Sequence, residues 1–121
     1  MSPTISSIVF PTDFSDVSLQ ALPHALNMAD QFGATLHCIY VVEEPQIYSS
    51  LDMGTVAIPT TGELATGAEQ RMEKFSAEHL PTATHEVTTK VVVGDAATEI
   101  VDYAKAHSAD LIVMTTPGYS G

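Results

Sequence analysis

Ile8-Val9-Phe10-Pro11-Thr12-Asp13-Phe14-Ser15 is the stretch that decides the fold. An apolar run stops at a proline, a hydroxyl and an acid, and a helical pattern follows. This reads as a buried strand delivering polar groups to its carboxyl end, where open α/β sheets place their ligands. Leu111-Ile112-Val113-Met114-Thr115-Thr116-Pro117-Gly118-Tyr119-Ser120-Gly121 repeats the arrangement far along the chain. With these two strands as neighbours, both loops rim one crevice.

Working outward, the first strand covers about Ser7–Pro11. A helix then runs from Ser15 or Ser18 to Phe32, with Leu22, Ala25, Ala29 and Phe32 on one face at helical spacing. Pro23 interrupts it, and Gly33 is a good stop. The β-branched and aromatic run Thr35–Val42 is the second strand. Residues 43–61 lack periodicity and carry Pro45, Gly54 and Pro59, which predicts a mobile excursion beside the crevice. Leu64, Ala65, Ala68, Met72 and Phe75 predict a second helix ending near Leu80. A strand over Glu86–Val93 follows, then Gly94 and Asp95 as turn and N-cap. The third helix has the apolar stripe Ala97, Ile100, Val101 and Ala104, and Leu111–Thr115 is the fourth strand. Strands alternating with helices imply an α/β fold with a parallel sheet and right-handed crossovers.

Composition narrows the function. The 121 residues suit one domain, residues 1–121, large enough to bury a core. Fifteen acidic residues against four basic ones give a formal charge of −11, a surface that repels nucleic acid and anionic lipid. No apolar run reaches the roughly 20 residues of a membrane span, and no signal peptide precedes the first strand, so a cytoplasmic protein is expected. The one cysteine, Cys38, lies in an apolar strand and reads as a buried small hydrophobe rather than a nucleophile.

Several chemistries are missing from the sequence. It has no G-x-x-x-x-G-K-[ST] loop, no G-x-G-x-x-G after a strand and no G-x-S-x-G elbow. His24, His37, His79, His85 and His107 are scattered, with no pair at metal-ligand spacing. Asp13 has the best position of any acid, and its residue type reads equally as a helix cap or a ligand contact. Gly118 and Gly121 read either as a pliant tail or as a loop whose backbone approaches a ligand.

These segments together resemble the universal stress protein family, over almost the whole chain. The likeness rests on Ile8–Ser15, on Ile39-Tyr40-Val41-Val42-Glu43, on Val93-Gly94-Asp95 with Ile100-Val101, and above all on Ala109-Asp110-Leu111-Ile112-Val113-Met114. It implies a Rossmann-like sheet in order 3-2-1-4(-5), helices on both faces, and a homodimer or higher homo-oligomer built through strand five. It also implies a stress-response module that binds ATP or AMP, with or without Mg2+, between strands one and four. Pro11, Thr12 and Asp13 would then meet adenine and ribose, Val41 would offer backbone groups to the base, and Gly94 would lie near the same rim. Met114, Thr115 and Gly118 would border the phosphates, in a loop the family writes G-x-x-G-x9-G-[ST]. Tyr40 stands where the family usually carries His, and Thr115 takes the first glycine position. The sequence as given ends at Gly121, before the last G-[ST] and strand five, so the native protein is expected to extend further. The rival expectations are a dimeric interaction module that binds no nucleotide, and a slow ATPase. No base for activating water is visible in the sequence, which favours binding over turnover.

Overall fold

The structure, a computed structural model, describes residues 4–43, 60–80 and 86–115. Along the chain these form β1 (Ser7–Pro11), α1 (Asp16–Phe32), β2 (Thr35–Val42), α2 (Thr61–His79), β3 (Val87–Val93), α3 (Ala96–Ala106) and β4 (Leu111–Ile112). The strands make one parallel sheet in the order β3-β2-β1-β4. The chain steps from β1 to β2 to β3 in one direction, then crosses back to place β4 on the far side of β1. The switch point therefore lies between β1 and β4, as the sequence leads one to expect.

Alternation along each strand sorts residues onto two faces. Ile8 and Phe10 of β1 and Leu36 and Cys38 of β2 face the layer made by α1 and α2. There they join Leu22, Ala25 and Ala29 of α1 and Met72 and Phe75 of α2 in one buried cluster. Cys38 is wholly buried, and burial pushes its thiol up to about 12, which leaves it a small hydrophobe at physiological pH. On the opposite face, Val9 and Ile39 are buried, and His37 meets Tyr103 of α3.

The helix ends follow from their side chains. Ser15 caps α1 by accepting from the Ser18 amide, with Asp16 in the first turn. Gly33 closes the helix at φ 64°, a left-handed cap that glycine adopts without penalty. The helix runs through Pro23, which is exposed. Thr60 caps α2: its hydroxyl accepts from the Glu63 amide and bonds the Glu63 carboxylate. The sequence reading started this helix at Leu64 and left Thr60 and Thr61 in the aperiodic stretch. They are instead its cap and first residue, through the T-x-x-E box. Of the expected excursion, residues 44–59 lie outside the described residues.

Two expectations need correction. The fourth strand is shorter than Leu111–Thr115, covering Leu111–Ile112. The Val113 amide still donates to the Val9 carbonyl at 2.9 Å. Pro11 stands next in that alternation and has no N–H to return, so the ladder stops there. Ile112 is 41% exposed. It shares the face of its partner Val9, and the one described helix on that face, α3, packs over β2 instead. The predicted stripe of α3 is also turned: Ala97 and Val101 are exposed, while Ile100, Tyr103 and Ala104 are half-buried. Among the described residues no helix is long and apolar enough to cross a membrane.

Candidate functional site

At the carboxyl end of the sheet, a crevice of about 280 Å³ opens at the switch point. Pro11, Thr12 and Asp13 from the end of β1, Val41 from β2 and Met114 and Thr115 after β4 all line it. These are six of the eight residues singled out in the sequence. Ile39, Tyr40, Glu43, Ala96 and Ile100 complete the wall. The last two arrive with α3, whose first turn reaches the rim because Asp95 caps it by accepting from Thr98.

The loop from β1 to α1 is fixed by short-range bonds. The Thr12 amide donates to the Ile39 carbonyl at 2.8 Å, the final bond of this strand pair. The Thr12 hydroxyl is buried, 2.7 Å from the Ser18 hydroxyl, and accepts from the Phe14 amide at 3.0 Å. Thr12 thus shapes the crevice while its hydroxyl is engaged inside the protein. The Ser15 amide donates to Asp13 Oδ1 at 2.9 Å. The hydrogen bonds from Ser15 hold the Asp13 carboxyl below its ordinary value, so it is ionised at neutral pH. The sequence left capping and ligand contact equal for Asp13. The cap belongs to Ser15, and Asp13 lines the crevice in an exposed position.

Phe14 lies at φ 64°, unusual for a residue with a Cβ. Its ring is held from three sides: Tyr40 at 4.9 Å, Phe75 at 5.6 Å between centroids, and the Arg71 guanidinium 4.8 Å above it. Strain of this kind persists where packing over-determines it, and it gathers near binding loops.

Val41 supplies backbone. In a parallel strand, alternate residues point their N–H and C=O to opposite neighbours. The Ile39 carbonyl bonds toward β1 and the Val42 carbonyl toward β3, where the Gly94 amide donates to it at 2.9 Å. Val41 points the same way as Ile39, but β1 ends at Pro11, opposite Ile39. Its N–H and C=O therefore face the space that β1 vacates.

Gly94 does not line the crevice; it makes the turn from β3 into α3 at φ 151°. A Cβ there would come within 2.8 Å of Glu99 Cγ. Gly94→Ala is expected to destabilise the protein by about 1–3 kcal/mol through backbone strain and displacement of Glu99. Urea unfolding measures this, and an unchanged midpoint would show that the turn relaxes freely. Gly118 lies outside the described residues.

Among the described residues the crevice lining has two carboxylates, Asp13 and Glu43, and no lysine or arginine. No group of three or more His, Cys, Asp or Glu able to hold a metal occurs among the described residues. A divalent ion would therefore need oxygens from a ligand beside those of Asp13 or Glu43.

Comparison with known proteins gives a consistent result. The model of the universal stress protein family matches residues 4–121. Universal stress protein MJ0531 of Methanocaldococcus jannaschii is 37% identical over 123 residues, covering 94% of this chain. The chain spans 66% of that protein's length. The structure of universal stress protein UspA from Lactobacillus plantarum superposes with a TM-score of 0.74 at 28% identity, over 99% of this chain and 83% of that one. A universal stress protein solved in complex with cAMP shares the fold more distantly. Its TM-score is 0.55 at 20% identity, over 91% of this chain and 72% of that one.

Proposed function

This chain belongs to the universal stress protein family, and from that premise we propose that it is a stress-response or regulatory module that binds an adenine nucleotide, ATP or AMP, between β1 and β4. The observation that carries the reading is the meeting of two groups at one crevice. Val41 turns backbone N–H and C=O into it, as a base edge requires, and Asp13 brings an ionised carboxylate that suits ribose hydroxyls. A protein of the same fold holds cAMP, itself an adenine nucleotide, which makes that class the first to test.

In this reading Pro11 and Ile39 provide apolar wall for the base, and Met114 and Thr115 begin the loop toward the phosphates, with Gly118 further along it. Mg2+, where present, would be held by Asp13 or Glu43 together with phosphate oxygens, lowering the repulsion between phosphate and carboxylate. Among the described residues the crevice lining holds no histidine, lysine or arginine, and the reading is one of binding rather than fast hydrolysis. The module would work as a cytoplasmic homodimer or higher homo-oligomer, with no nucleic-acid partner at a formal charge of −11.

Mass spectrometry of the freshly purified, denatured protein, joined to calorimetric titration with ATP, AMP and adenosine, is the test. Co-purified nucleotide or saturable heat is the expected result. No nucleotide and no heat with any of the three would overturn the proposal.

One observation favours a second reading, an interaction module without nucleotide. Thr115 puts a Cβ on the crevice wall where a glycine would let backbone approach phosphate. Thr115→Gly is accordingly expected to tighten ATP more than adenosine, because glycine frees the N–H groups that bind anions. Titrating both ligands against both forms decides it. Equal changes would show that Thr115 does not face the phosphates.

A further inference from the structure

α3 is attached to the sheet with little apolar burial. None of its residues is fully buried, and Val101 is 44% exposed. Its polar attachment is a cluster of three rings near its C-terminal end. His37, on the face of β2 that α3 covers, is buried, with Nδ1 2.9 Å from the Tyr103 hydroxyl. The Tyr103 ring stacks on His107, the C-cap of the helix, with centroids 4.0 Å apart. The His37 and His107 rings lie 5.1 Å apart. None of the three residues lines the crevice.

We propose that the His37–Tyr103–His107 cluster is a proton-operated latch that holds the C-terminal half of α3 on β2 near neutral pH and releases it in acid.

The chemistry follows from where a charge would sit. Neutral His37 satisfies one ring nitrogen with the Tyr103 hydroxyl and needs no counter-charge. A cation at the same place would be taken out of water next to a second imidazole. Burial chiefly, and then His107, hold His37 below the ordinary histidine value of 6.5, while Glu86 works the other way. Among the described residues, the charged or titratable groups facing His37 are Tyr103 and His107 from the α3 side and Glu86 at the head of β3. Its register partners, Val9 on β1 and Thr88 on β3, are uncharged. The sign is set by linkage: a folded value below the unfolded one means that the unfolded form binds protons first. The stabilisation is present above 6.5 and is lost as pH falls below it, through the folded value. Because α3 has so little apolar anchorage, the loss falls on that helix before it reaches the core under α1 and α2.

The latch stands apart from the nucleotide reading, since its readout is the helix and not a ligand. The experiment is hydrogen exchange on the full chain at pH 7.5 and 5.5, expressed as protection factors so that intrinsic rates cancel. The α3 amides of the unsubstituted protein should lose protection several-fold at the lower pH while β1 keeps its own. His37→Asn places an uncharged polar atom near the Nδ1 position, and the loss should disappear. Equal α3 protection at both pH values would overturn the latch. So would a parallel loss in β1, which would mean global acid unfolding, or an undiminished loss in His37→Asn. Where that variant does not fold, NMR titration of the unsubstituted protein takes its place. A common inflection of the His37 ring and the α3 amides supports the latch, and separate inflections refute it.

Discussion

Phe10→Ala is expected to lower the free energy of unfolding by about 3–5 kcal/mol, the usual cost of removing a buried aromatic ring and leaving its cavity. Phe10 is wholly buried in β1, within the cluster that joins β1 and β2 to both helices of the thicker layer. Its neighbours there, Leu22, Ala25 and Phe75, come from elements already fixed by their own caps and cannot close the gap without moving a helix. A domain of this size has a total stability of about 5–15 kcal/mol, so the variant should lie near the edge of folding. Val17→Ala, at a position 45% exposed on α1, is the control and should change stability by no more than about 0.5 kcal/mol. Urea unfolding of the two variants side by side makes the comparison. A Phe10→Ala protein as stable as the control would mean that the core is not organised around that ring.

The second large effect concerns ligand. Asp13→Ala is expected to weaken adenosine and ATP binding by about 1–3 kcal/mol, the range for a hydrogen bond to a charged group. That corresponds to about five- to 150-fold in dissociation constant. Free adenine should bind both forms equally, since the carboxylate is assigned to the ribose and Val41 to the base. The substitution also removes the acceptor for the Ser15 amide, so the loop itself could shift. Asp13→Asn separates the two effects. It keeps an oxygen for Ser15 but not the charge, and it should retain the fold while losing part of the affinity. Calorimetry showing full adenosine affinity in Asp13→Ala, with the fold intact by circular dichroism, would remove Asp13 from the site.

The sequence was most legible where one local rule acted alone. β1 and β2 have the bounds read from it, because an apolar run ended by Pro11 or by Glu43 needs no tertiary information. Pro11, Thr12 and Asp13 were legible because the first apolar run ends in them, whereas Val41, Met114 and Thr115 were named through the family resemblance. The start of α2 was also readable, from Thr60 and Glu63, but apolar periodicity alone begins later, at Leu64. What stayed hidden was set by contacts distant in sequence. His37 and Tyr103 are 66 residues apart, and nothing in either neighbourhood announces that they bond. That contact helps set the rotation of α3, which is why the face expected from Ala97 and Val101 was turned outward. Ala96 and Ile100 went unmarked for a similar reason. They join the crevice wall only when the crossover from β3 brings α3 back over the sheet.

The loop between β1 and α1 has a consequence for how this chain can be cut and rejoined. Between Thr12 and Ser18, four hydrogen bonds close rings of two, three or six residues: Phe14 to Thr12, Ser15 to Asp13, Ser18 to Ser15, and the Thr12–Ser18 hydroxyl pair. Each fits one spacing, and together they leave no slack. One inserted residue would break at least one of them, tilt the entry of α1 and draw Phe14 from between Tyr40 and Phe75. The segment behaves as a ruler, measuring the distance from sheet to helix in residue units. New termini for a circular permutation, or the seam of a domain insertion, belong elsewhere in the chain.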